Sequence, residues 1–406
     1  MLYVGIDLHR KQLTVCIREE NGDITSRRQV STRPHKIREF LEELKRHDFV
    51  VLLEACGFED WFIAILQNEP RCQQIVVVQP DTQSKTKTDR RDANRLCEIL
   101  WLNRDRLRNG EKLQAIRRVY IPTDDEQQDR RLTSVRQRLV RQRTRTLNQI
   151  HYLLRRHNLE WERPTKTFQT KKVKRWLKDI DLNPIDRLEL NQLLEQWELL
   201  DQHIGQLDRQ IVVRFEANDE AQLLKSITGV SHYMGLAIAC RIGDISRFRT
   251  PRSLSNYFGL TPGSRSSGET QRLGSITKQG SRHVRFLLGQ LVLHLLRKDA
   301  RIRTWYQRIK KRRGSKIARV AVMRRLAVIL WHMLSKREPY QYGSHPISPR
   351  QQAALAAGQA ALEEHRHEVK KAFGIAPAPD GGVGSSGGAS TGSSSLCSTG
   401  RDTCPV

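Results

Sequence analysis

Paired cysteines and long apolar runs are both missing from this chain of 406 residues. Its seven cysteines are scattered, odd in number and never spaced as CxxC, which argues against a zinc ribbon or a disulfide scaffold and favours a reducing compartment. No apolar run reaches the length of a membrane span. The first residues, MLYVGIDLHR, lack the basic leader and apolar core of a signal peptide. We therefore expect a cytoplasmic protein.

Acidic residues are scarce relative to basic ones. The chain has 44 Asp and Glu against 71 Lys and Arg, a formal charge of +27. Such a charge attracts polyanions. Nucleic acid is the partner that this balance favours, and an anionic membrane surface is the less favoured alternative.

Residues 1–110 have the pattern of an α/β domain. LYVGID, LTVCIREE and ITSRRQVS predict three short strands in an antiparallel meander. HKIREFLEELKRH has apolar residues at helical spacing, and FVVLLEAC and QQIVVVQP predict two further strands. TDRRDANRLCEILWL then predicts a helix.

Residues 120–218 predict two long helices. The first is crowded with arginine, and five of its arginines are candidate nucleic-acid ligands: Arg136, Arg138, Arg141, Arg143 and Arg145. The second begins at Asn183-Pro184, which suit an N-cap and a first turn. Its apolar residues repeat at spacings of three and four from Leu190 to Ile211, the spacing of a heptad seam. The seam allows either a helical hairpin within one subunit or a dimerising coiled coil.

Residues 219–342 predict a third, mostly α-helical region. LLKSITGVSHYMGLAIACRIGDISRF predicts two helices around a tight turn at Gly229, similar to a helix-hairpin-helix, whose turn amides grip a DNA phosphate. Ser231 stands where such a turn usually has a second glycine. Two further basic helices follow. Residues 343–406 are expected to be a helical remnant and a disordered Gly/Ser-rich tail.

Four carboxylates form the first candidate site. Asp7 ends the first predicted strand, Glu54 ends a later one, and Asp89 and Asp92 are three apart on one helix face. Carboxylates that converge in this way can hold two divalent cations, Mg²⁺ or Mn²⁺, which clamp the attacking and leaving oxygens of a phosphodiester. Each residue also has an ordinary interpretation, as a turn residue or part of a salt-bridged surface helix. Their order resembles that in the ribonuclease-H-like fold of Holliday-junction resolvases.

The second candidate site is the segment GLTPGSRSSGETQRLGSITKQGSRHVRF, residues 259–286, which has five serines, five glycines and one acidic residue. Six side chains can neutralise a phosphate and stabilise a pentacovalent transition state: Arg265, Arg272, Lys278, Arg282, His283 and Arg285. A serine hydroxyl here can attack phosphorus. The alternative, which composition alone favours, is a phosphate-gripping loop whose serines only bond the backbone.

Together, GIDLH, LLEAC, KTDRRDA, the arginine-rich helix and YFGLTPGSRSSGETQRLGSITKQGSRHVRFLL resemble the bridge-RNA-guided insertion-sequence transposases over residues 1–340. The resemblance implies a ribonuclease-H-like N-terminal domain, a helical coiled-coil segment and a C-terminal serine transposase domain. The metal ligands carried over are Asp7, Glu54, Asp89 and Asp92. The nucleophile falls on Ser267, with Ser266 and Ser264 as alternatives.

The resemblance further implies an RNA-guided DNA recombinase. A structured guide RNA pairs with donor and target duplex DNA, the serine forms a covalent 5′-phosphoserine, and a homodimer assembles to a homotetramer. Such a protein acts on DNA in a prokaryotic cell. Two other functions stay open. One is a metal-dependent Holliday-junction-type endonuclease that acts by hydrolysis. The other is a non-enzymatic nucleic-acid-binding protein, against which the four ordered carboxylates argue because they weaken a basic surface.

Overall fold

The structure, a computed structural model, describes residues 1–79, 89–111, 113–114, 117–267 and 270–341. The side chains of residues 89–90, 264–267 and 270–273 lie outside that description, as does the predicted tail. Residues Met1–Gln341 form one compact unit. None of the helices in the described part is long and apolar enough to cross a bilayer.

A six-stranded sheet organises the first region. Its strands are β1 (Leu2–Leu8), β2 (Gln12–Arg18), β3 (Ile24–Ser31), β4 (Phe49–Glu54), β5 (Cys72–Val78) and β6 (Arg118–Val119). They lie in the order β3-β2-β1-β4-β5-β6. The first three strands form the predicted antiparallel meander, β4 pairs parallel with β1, β5 pairs parallel with β4, and β6 pairs antiparallel with β5. The prediction of a mixed α/β region is confirmed.

Helices cover both faces of the sheet because its central strands are apolar on both sides. They are α1 (Pro34–Leu44), α2 (Asp60–Gln67), α3 (Asp89–Leu102) and α4 (Arg104–Arg108). On one face, Val4 and Ile6 of β1 pack with α1 and α2. On the other face, Tyr3 of β1 and Leu52 of β4 pack with Leu96 of α3. Alternate residues of one strand therefore line two separate cores.

Helix α3 lies directly on β1 at Gly5. A Cβ atom on Gly5 would lie 2.3 Å from the Cys97 nitrogen and 2.6 Å from the Ala93 oxygen. Both atoms belong to backbone that cannot rotate away, so only glycine permits this approach. The Cys97 thiol also donates to the Tyr3 carbonyl oxygen at 3.2 Å. These contacts fix the register of α3 on the strand.

The middle region is a helical hairpin of α5 (Asp124–Arg156) and α7 (Pro184–Glu216), with the shorter α6 (Lys171–Asp179) between them in sequence. A capping box of Thr123 and Glu126 starts α5, and Asn183 caps α7 as predicted. Polar contacts run in antiparallel order along the pair: Arg214 with Asp129, Arg136 with Asp208, Arg143 with Asp201, and His157 with Asp186.

The predicted heptad seam of α7 is buried inside this chain. Leu190, Leu193 and Trp197 share a core cluster with Ile150 and Leu153 of α5. Of the two arrangements left open by the sequence, the structure therefore describes the hairpin within one subunit.

The start of α5 is held from two sides. Arg131 forms an ion pair with Asp60 of α2 at 3.0 Å. The Arg130 Nε donates to the Cys240 carbonyl oxygen at 2.6 Å, and Cys240 lies in a helix of the third region. We call this end of the hairpin its root.

The third region is mostly helical. It contains α8 (Asp219–Leu224), α9 (His232–Ile242), α10 (Pro251–Tyr257), β7 (Pro262–Ser267), β8 (Thr270–Ile276), α11 (Arg282–Lys298) and α12 (Ala300–Lys336). Helices α8 and α9 pack on each other and flank the turn at Gly229. In α12 the helical backbone is interrupted at Gly314, which has φ 81° and ψ 165°.

The interpretation of the serine segment as turn-rich loop is wrong for most of its length. β7 and β8 pair antiparallel, with Ser264 opposite Leu273 and Ser267 opposite Thr270. Strand pairing uses backbone N–H and C=O groups, which glycine and serine supply as well as apolar residues do. The amino-acid composition of this segment therefore did not indicate strands. Residues typical of turns predicted a loop over the whole segment.

Candidate active site and nucleic-acid interface

Asp7 and Glu54 lie at the same end of two adjacent parallel strands. Ile6 is paired with Leu53, and each carboxylate is the next residue of its strand. Neighbouring strands are about 4.8 Å apart, so the two backbones bring these acids side by side. Both acids are partly buried. The expectation that strand ends gather Asp7 and Glu54 agrees with this geometry.

The face of the sheet that carries both acids is the face covered by α3. Side chains alternate along a strand, so Tyr3, Gly5 and Asp7 share one face of β1. Along α3, Cys97 lies beside Tyr3, and Ala93, four residues earlier in the helix, lies beside Gly5. Four helical residues rise about 6 Å, close to the length of two strand residues. The first turn of α3, which begins at Asp89, is therefore the part of the helix that reaches the level of Asp7.

Asp92 precedes Ala93 in that turn and is partly buried. The side chain of Asp89 lies outside the described ones. Among the described side chains, no group of three or more Asp, Glu, His or Cys is close enough together to hold a metal ion. The residues that the backbone brings together are nevertheless carboxylates, the oxygen donors that Mg²⁺ and Mn²⁺ prefer.

His9 is a neighbour of this site that the sequence did not single out. Its Nε2 lies 2.9 Å from the Asp7 Oδ2, and the Asp7 side chain is 14% exposed. The two residues are two apart, so they project from the same side of the end of β1. The sequence signal was the Asp-Leu-His spacing itself. A histidine in this place can orient the carboxylate.

The five candidate arginines of α5 divide into two groups. Arg136 binds Asp208 through two hydrogen bonds of 2.5 and 3.2 Å and stacks on the Tyr233 ring, and Arg143 binds Asp201 at 2.9 Å. These two hold the helical hairpin together. Arg138, Arg141 and Arg145 are exposed and lie at spacings of three and four along one face of the helix. They are the members of the set that remain available to a phosphate backbone.

In the serine hairpin, strand register separates the candidate nucleophiles. Arg265 is opposite Arg272 and Ser267 is opposite Thr270, so Ser267 occupies the same face as both arginine positions. Ser266 is opposite Gln271 and belongs to the other face together with Ser264. The side chains of these residues lie outside the described ones, and the register alone makes the distinction.

The base of this hairpin is closed by Arg285. Its Nη1 donates to the carbonyl oxygens of Phe258, Gln279 and Gly280 at 2.9 to 3.2 Å. A Cβ on Gly280 would lie 2.0 Å from the Tyr257 oxygen, so the two chain segments cross in contact. Arg285 thus holds the backbone in place. Among the other predicted cations, Arg282 and Lys278 belong to the described residues, and Arg282 is exposed.

His283 has a different environment from the one expected of a phosphate ligand. Its Nε2 lies 2.6 Å from the Tyr233 hydroxyl. Burial, and then the positive charges of Arg241 and Arg141, lower the pKa of His283 to about 3. The ring is therefore neutral at pH 7 and contributes a hydrogen bond between α9 and α11, which corrects the expectation of a cation at this position.

This depressed pKa predicts a pH-dependent stability. The unfolded chain binds a proton at His283 near the ordinary pKa of 6.5, whereas the folded chain does so only near 3. Stability is therefore complete above pH 6.5 and falls as the pH drops towards 3. His283→Gln should flatten this fall, by less than the ~1.4 kcal/mol per pH unit of one proton because the ring is partly solvated. The measurement is chemical denaturation between pH 4.5 and 7.5, with His203→Gln on exposed α7 surface as control. Equal pH slopes in wild type and His283→Gln would contradict it.

Gly229 has a positive φ of 96°, and a Cβ there would lie 2.5 Å from the Cβ of His294 in α11. Backbone conformation and packing thus both require glycine in this turn. Ser231, the residue that departs from the expected second glycine, caps α9 by accepting from the Met234 N–H. The residue therefore serves the helix rather than the turn.

Comparison with known families matches both chemical regions. A family model named DEDD_Tnp_IS110 and described as "Transposase" matches residues 4–159, which include all four candidate carboxylates. A second model, "Transposase IS116/IS110/IS902 family", matches residues 221–307, which include the serine hairpin. The chain is therefore similar to the IS110 family of insertion-sequence transposases in both of its chemical regions.

This chain aligns over most of its length with several known transposases. It is 28% identical over 350 residues to "Transposase for insertion sequence element IS1111A" of Coxiella burnetii, covering 84% of this chain and 92% of the relative. It is 28% identical over 351 residues to "Probable family 20 transposase" of Pseudomonas aeruginosa, covering 84% and 98%. It is 24% identical over 335 residues to "Transposase for insertion sequence element IS1328" of Yersinia enterocolitica, covering 81% and 95%.

Proposed function

We propose that this transposase is an RNA-guided DNA recombinase with two chemical centres, a DEDD metal site and a serine nucleophile. The observation that carries the metal centre is the side-by-side placement of Asp7 and Glu54 under the first turn of α3. The serine centre rests on the strand register of the β7–β8 hairpin. The strand order β3-β2-β1-β4-β5, with an antiparallel meander followed by parallel strands, supports a ribonuclease-H-like domain in residues 1–110. We assign residues 120–218 to the helical coiled-coil segment. Residues 219–342 are assigned to the serine transposase domain.

Asp7, Glu54, Asp89 and Asp92 are the proposed ligands of Mg²⁺ or Mn²⁺. When bound, such ions neutralise charge on a phosphodiester and orient the reacting oxygens. These residues would hold such ions from fixed positions, because α3 lies directly on β1 at Gly5 and β4 is paired with β1. His9 orients Asp7 through their hydrogen bond.

Ser267 is the proposed nucleophile. Its hydroxyl gives up a proton as the oxygen attacks phosphorus and a serine oxygen–phosphorus bond forms. The bond from phosphorus to the 3′ oxygen of the cut strand breaks, and that oxygen takes up a proton, which leaves a 5′-phosphoserine and a 3′-hydroxyl. The bond energy is kept in the phosphoserine, so rejoining needs no external energy source. Arg265 and Arg272 occupy the same face of the hairpin as Ser267 and supply positive charge to the pentacovalent phosphorus.

Nucleic acid is bound by the exposed cations. Arg138, Arg141 and Arg145 offer one continuous row along α5, with Arg282 and Lys278 near the serine hairpin as further contacts. A guide RNA paired with donor and target DNA supplies sequence recognition, while these cations read the backbone. Two chains associate as a homodimer and two dimers as a homotetramer, so that serine and carboxylates from different chains act on one junction.

A covalent protein–DNA adduct tests this function. Purified transposase, RNA transcribed from the DNA flanking its gene, Mg²⁺ and end-labelled junction DNA are mixed and separated on a denaturing gel. We expect a band in which DNA migrates with protein, and its loss on proteinase digestion. Omission of the RNA should reduce the band at least about tenfold, since guide pairing selects the substrate.

A hydrolytic junction endonuclease is the second candidate function. The placement of the carboxylates favours it equally well, because that site needs no serine. It predicts cut DNA with free ends and no adduct under the same conditions. This outcome would remove the phosphoserine from the mechanism and leave the β7–β8 hairpin as a phosphate-binding element.

A further inference from the structure

Helix α12 folds back on itself at Gly314. Ile302 and Trp305 before the break line one pocket with Arg325 and Ile329 after it. The Tyr340 hydroxyl, beyond the end of the helix, donates to the Asp299 Oδ2 at its start at 2.6 Å. The two halves therefore run antiparallel. Gly314 allows the reversal through its positive φ, and a Cβ there would meet nothing within 4 Å, so the backbone conformation is what requires the glycine.

The end of this helical hairpin, residues 308–317, is strongly basic, and we call it the basic tip. Nine of its ten residues are exposed. Six of them are cations: Arg308, Lys310, Lys311, Arg312, Arg313 and Lys316. Between Asp299 and Glu338 the sequence has no acidic residue at all. A dense exposed charge of one sign costs stability through self-repulsion, so it calls for a partner of the opposite charge.

The cations of the basic tip are not used to hold the protein together. Among the described residues, no carboxylate forms an ion pair with any of the six. Arg303, closer to the body of the protein, shows the contrast: its guanidinium donates to the carbonyl oxygens of Leu296 and Arg297 at 2.6 Å. The family match ends at residue 307, before the first cation of the tip.

Composition of the tip restricts the kind of nucleic acid that it fits. Residues 308–317 contain no aromatic side chain, so the tip itself offers no ring on which the bases of single-stranded DNA or RNA can stack. They also contain no Asn, Gln, Asp or Glu, so the side chains that read adenine and cytosine are missing and only guanine could be contacted, by Arg or Lys. Six flexible cations without such groups suit the two phosphate backbones of a duplex.

We propose that the basic tip is a sequence-independent clamp on the phosphate backbone of double-stranded DNA. The choice of DNA rests on the proposed function, in which donor and target are duplex DNA. The tip holds DNA and leaves recognition of sequence to the guide. Its residues are different from those of the arginine row of α5 and of the serine hairpin.

Neutralising the tip tests this clamp. Lys310, Lys311, Arg312 and Arg313 are all changed to Gln in the full chain, and affinity for a random-sequence 30-base-pair duplex is measured by fluorescence anisotropy across salt concentrations. We expect affinity near physiological salt to fall about tenfold or more. The slope of log affinity against log salt should become shallower by about 0.9 for each phosphate that the variant no longer neutralises, hence by up to about 3.6. The tip is exposed, so thermal unfolding should be unchanged.

A matched variant controls for general charge. Lys171, Lys172, Arg175 and Lys178 on α6 are also changed to Gln, which removes the same four charges from another exposed helix. The clamp requires that this control change the salt slope less than the tip variant does. Equal slopes in the two variants would overturn it, as would a reduced affinity confined to duplex RNA of the same sequence. Wild type that binds no duplex DNA would instead refute the proposed function.

Discussion

Ser267→Ala is expected to abolish the covalent protein–DNA adduct and to slow strand transfer by at least about a thousandfold. Without the nucleophile, no covalent bond can form between the protein and the cut strand. Effects of this size are typical for loss of a covalent nucleophile. Binding of the guide and of DNA should stay within about twofold, because the change removes one hydroxyl and no charge. Denaturing gels measure the adduct, and anisotropy measures binding on the same samples.

Ser266→Ala is the matched control because it removes the same group one residue away, on the opposite face of β7. It should retain the adduct. If Ser266→Ala loses the adduct and Ser267→Ala keeps it, the nucleophile is Ser266, on the other face of the hairpin from Arg265 and Arg272. If both variants keep the adduct, and Ser264→Ala also keeps it, the serine mechanism is excluded.

Asp7→Asn is expected to reduce DNA cleavage by at least about a thousandfold while leaving the fold intact. The amide has the shape of the carboxylate but lacks the negative charge that holds a divalent ion. Its oxygen can keep the contact with His9, so the structural effect should be small. Single-turnover cleavage at increasing Mg²⁺ and Mn²⁺ concentrations provides the measurement. Glu54→Gln should behave in the same way, since it adjoins Asp7 in the sheet.

Asp23→Asn controls for loss of negative charge in the same region. Asp23 is exposed in the turn between β2 and β3, where Asn21 is its hydrogen-bond partner. This variant should cleave at the wild-type rate. Wild-type cleavage by Asp7→Asn as well would remove the carboxylates from the reaction, whereas loss of activity in both variants would indicate a general electrostatic effect.

Much of the first region could be predicted from its sequence because local pattern and tertiary structure agree there. Alternating and continuous apolar runs specify β1 to β5. In the middle region Asn183 was predicted to start α7, whereas the cap of α5 at Thr123 is known only from the structure. The sequence placed Asp7 and Glu54 at strand ends, but that these strands are parallel neighbours is seen only in the structure. The contact of α3 with Gly5 was not predictable, since a glycine in a strand indicates close approach without naming the neighbour.

The sequence alone could not show which charged residues hold the fold together and which are exposed to a nucleic acid. Arg136 and Arg143 look the same as Arg138 and Arg141 in an arginine-rich helix, and only the position of Asp208 and Asp201 on α7 separates them. His283 was assigned a positive charge because histidine beside arginine looks basic, yet burial next to Arg241 keeps it neutral. The β7–β8 hairpin was missed for a third reason: its pairing depends on backbone groups that every sequence has.

The rooted hairpin of α5 and α7 acts as a lever. Its helices have 33 residues each, and α5 extends about 25 residues beyond Arg131, or roughly 40 Å. That reach slightly exceeds one full turn of B-DNA, about 34 to 36 Å. Since the root is tied both to α2 and to α9, a rotation of a few degrees between those two anchors moves the far end by several ångströms. A partner bound at the far end of the hairpin is therefore displaced when the sheet and the third region rotate slightly relative to each other. The displacement occurs about one DNA turn away from the root.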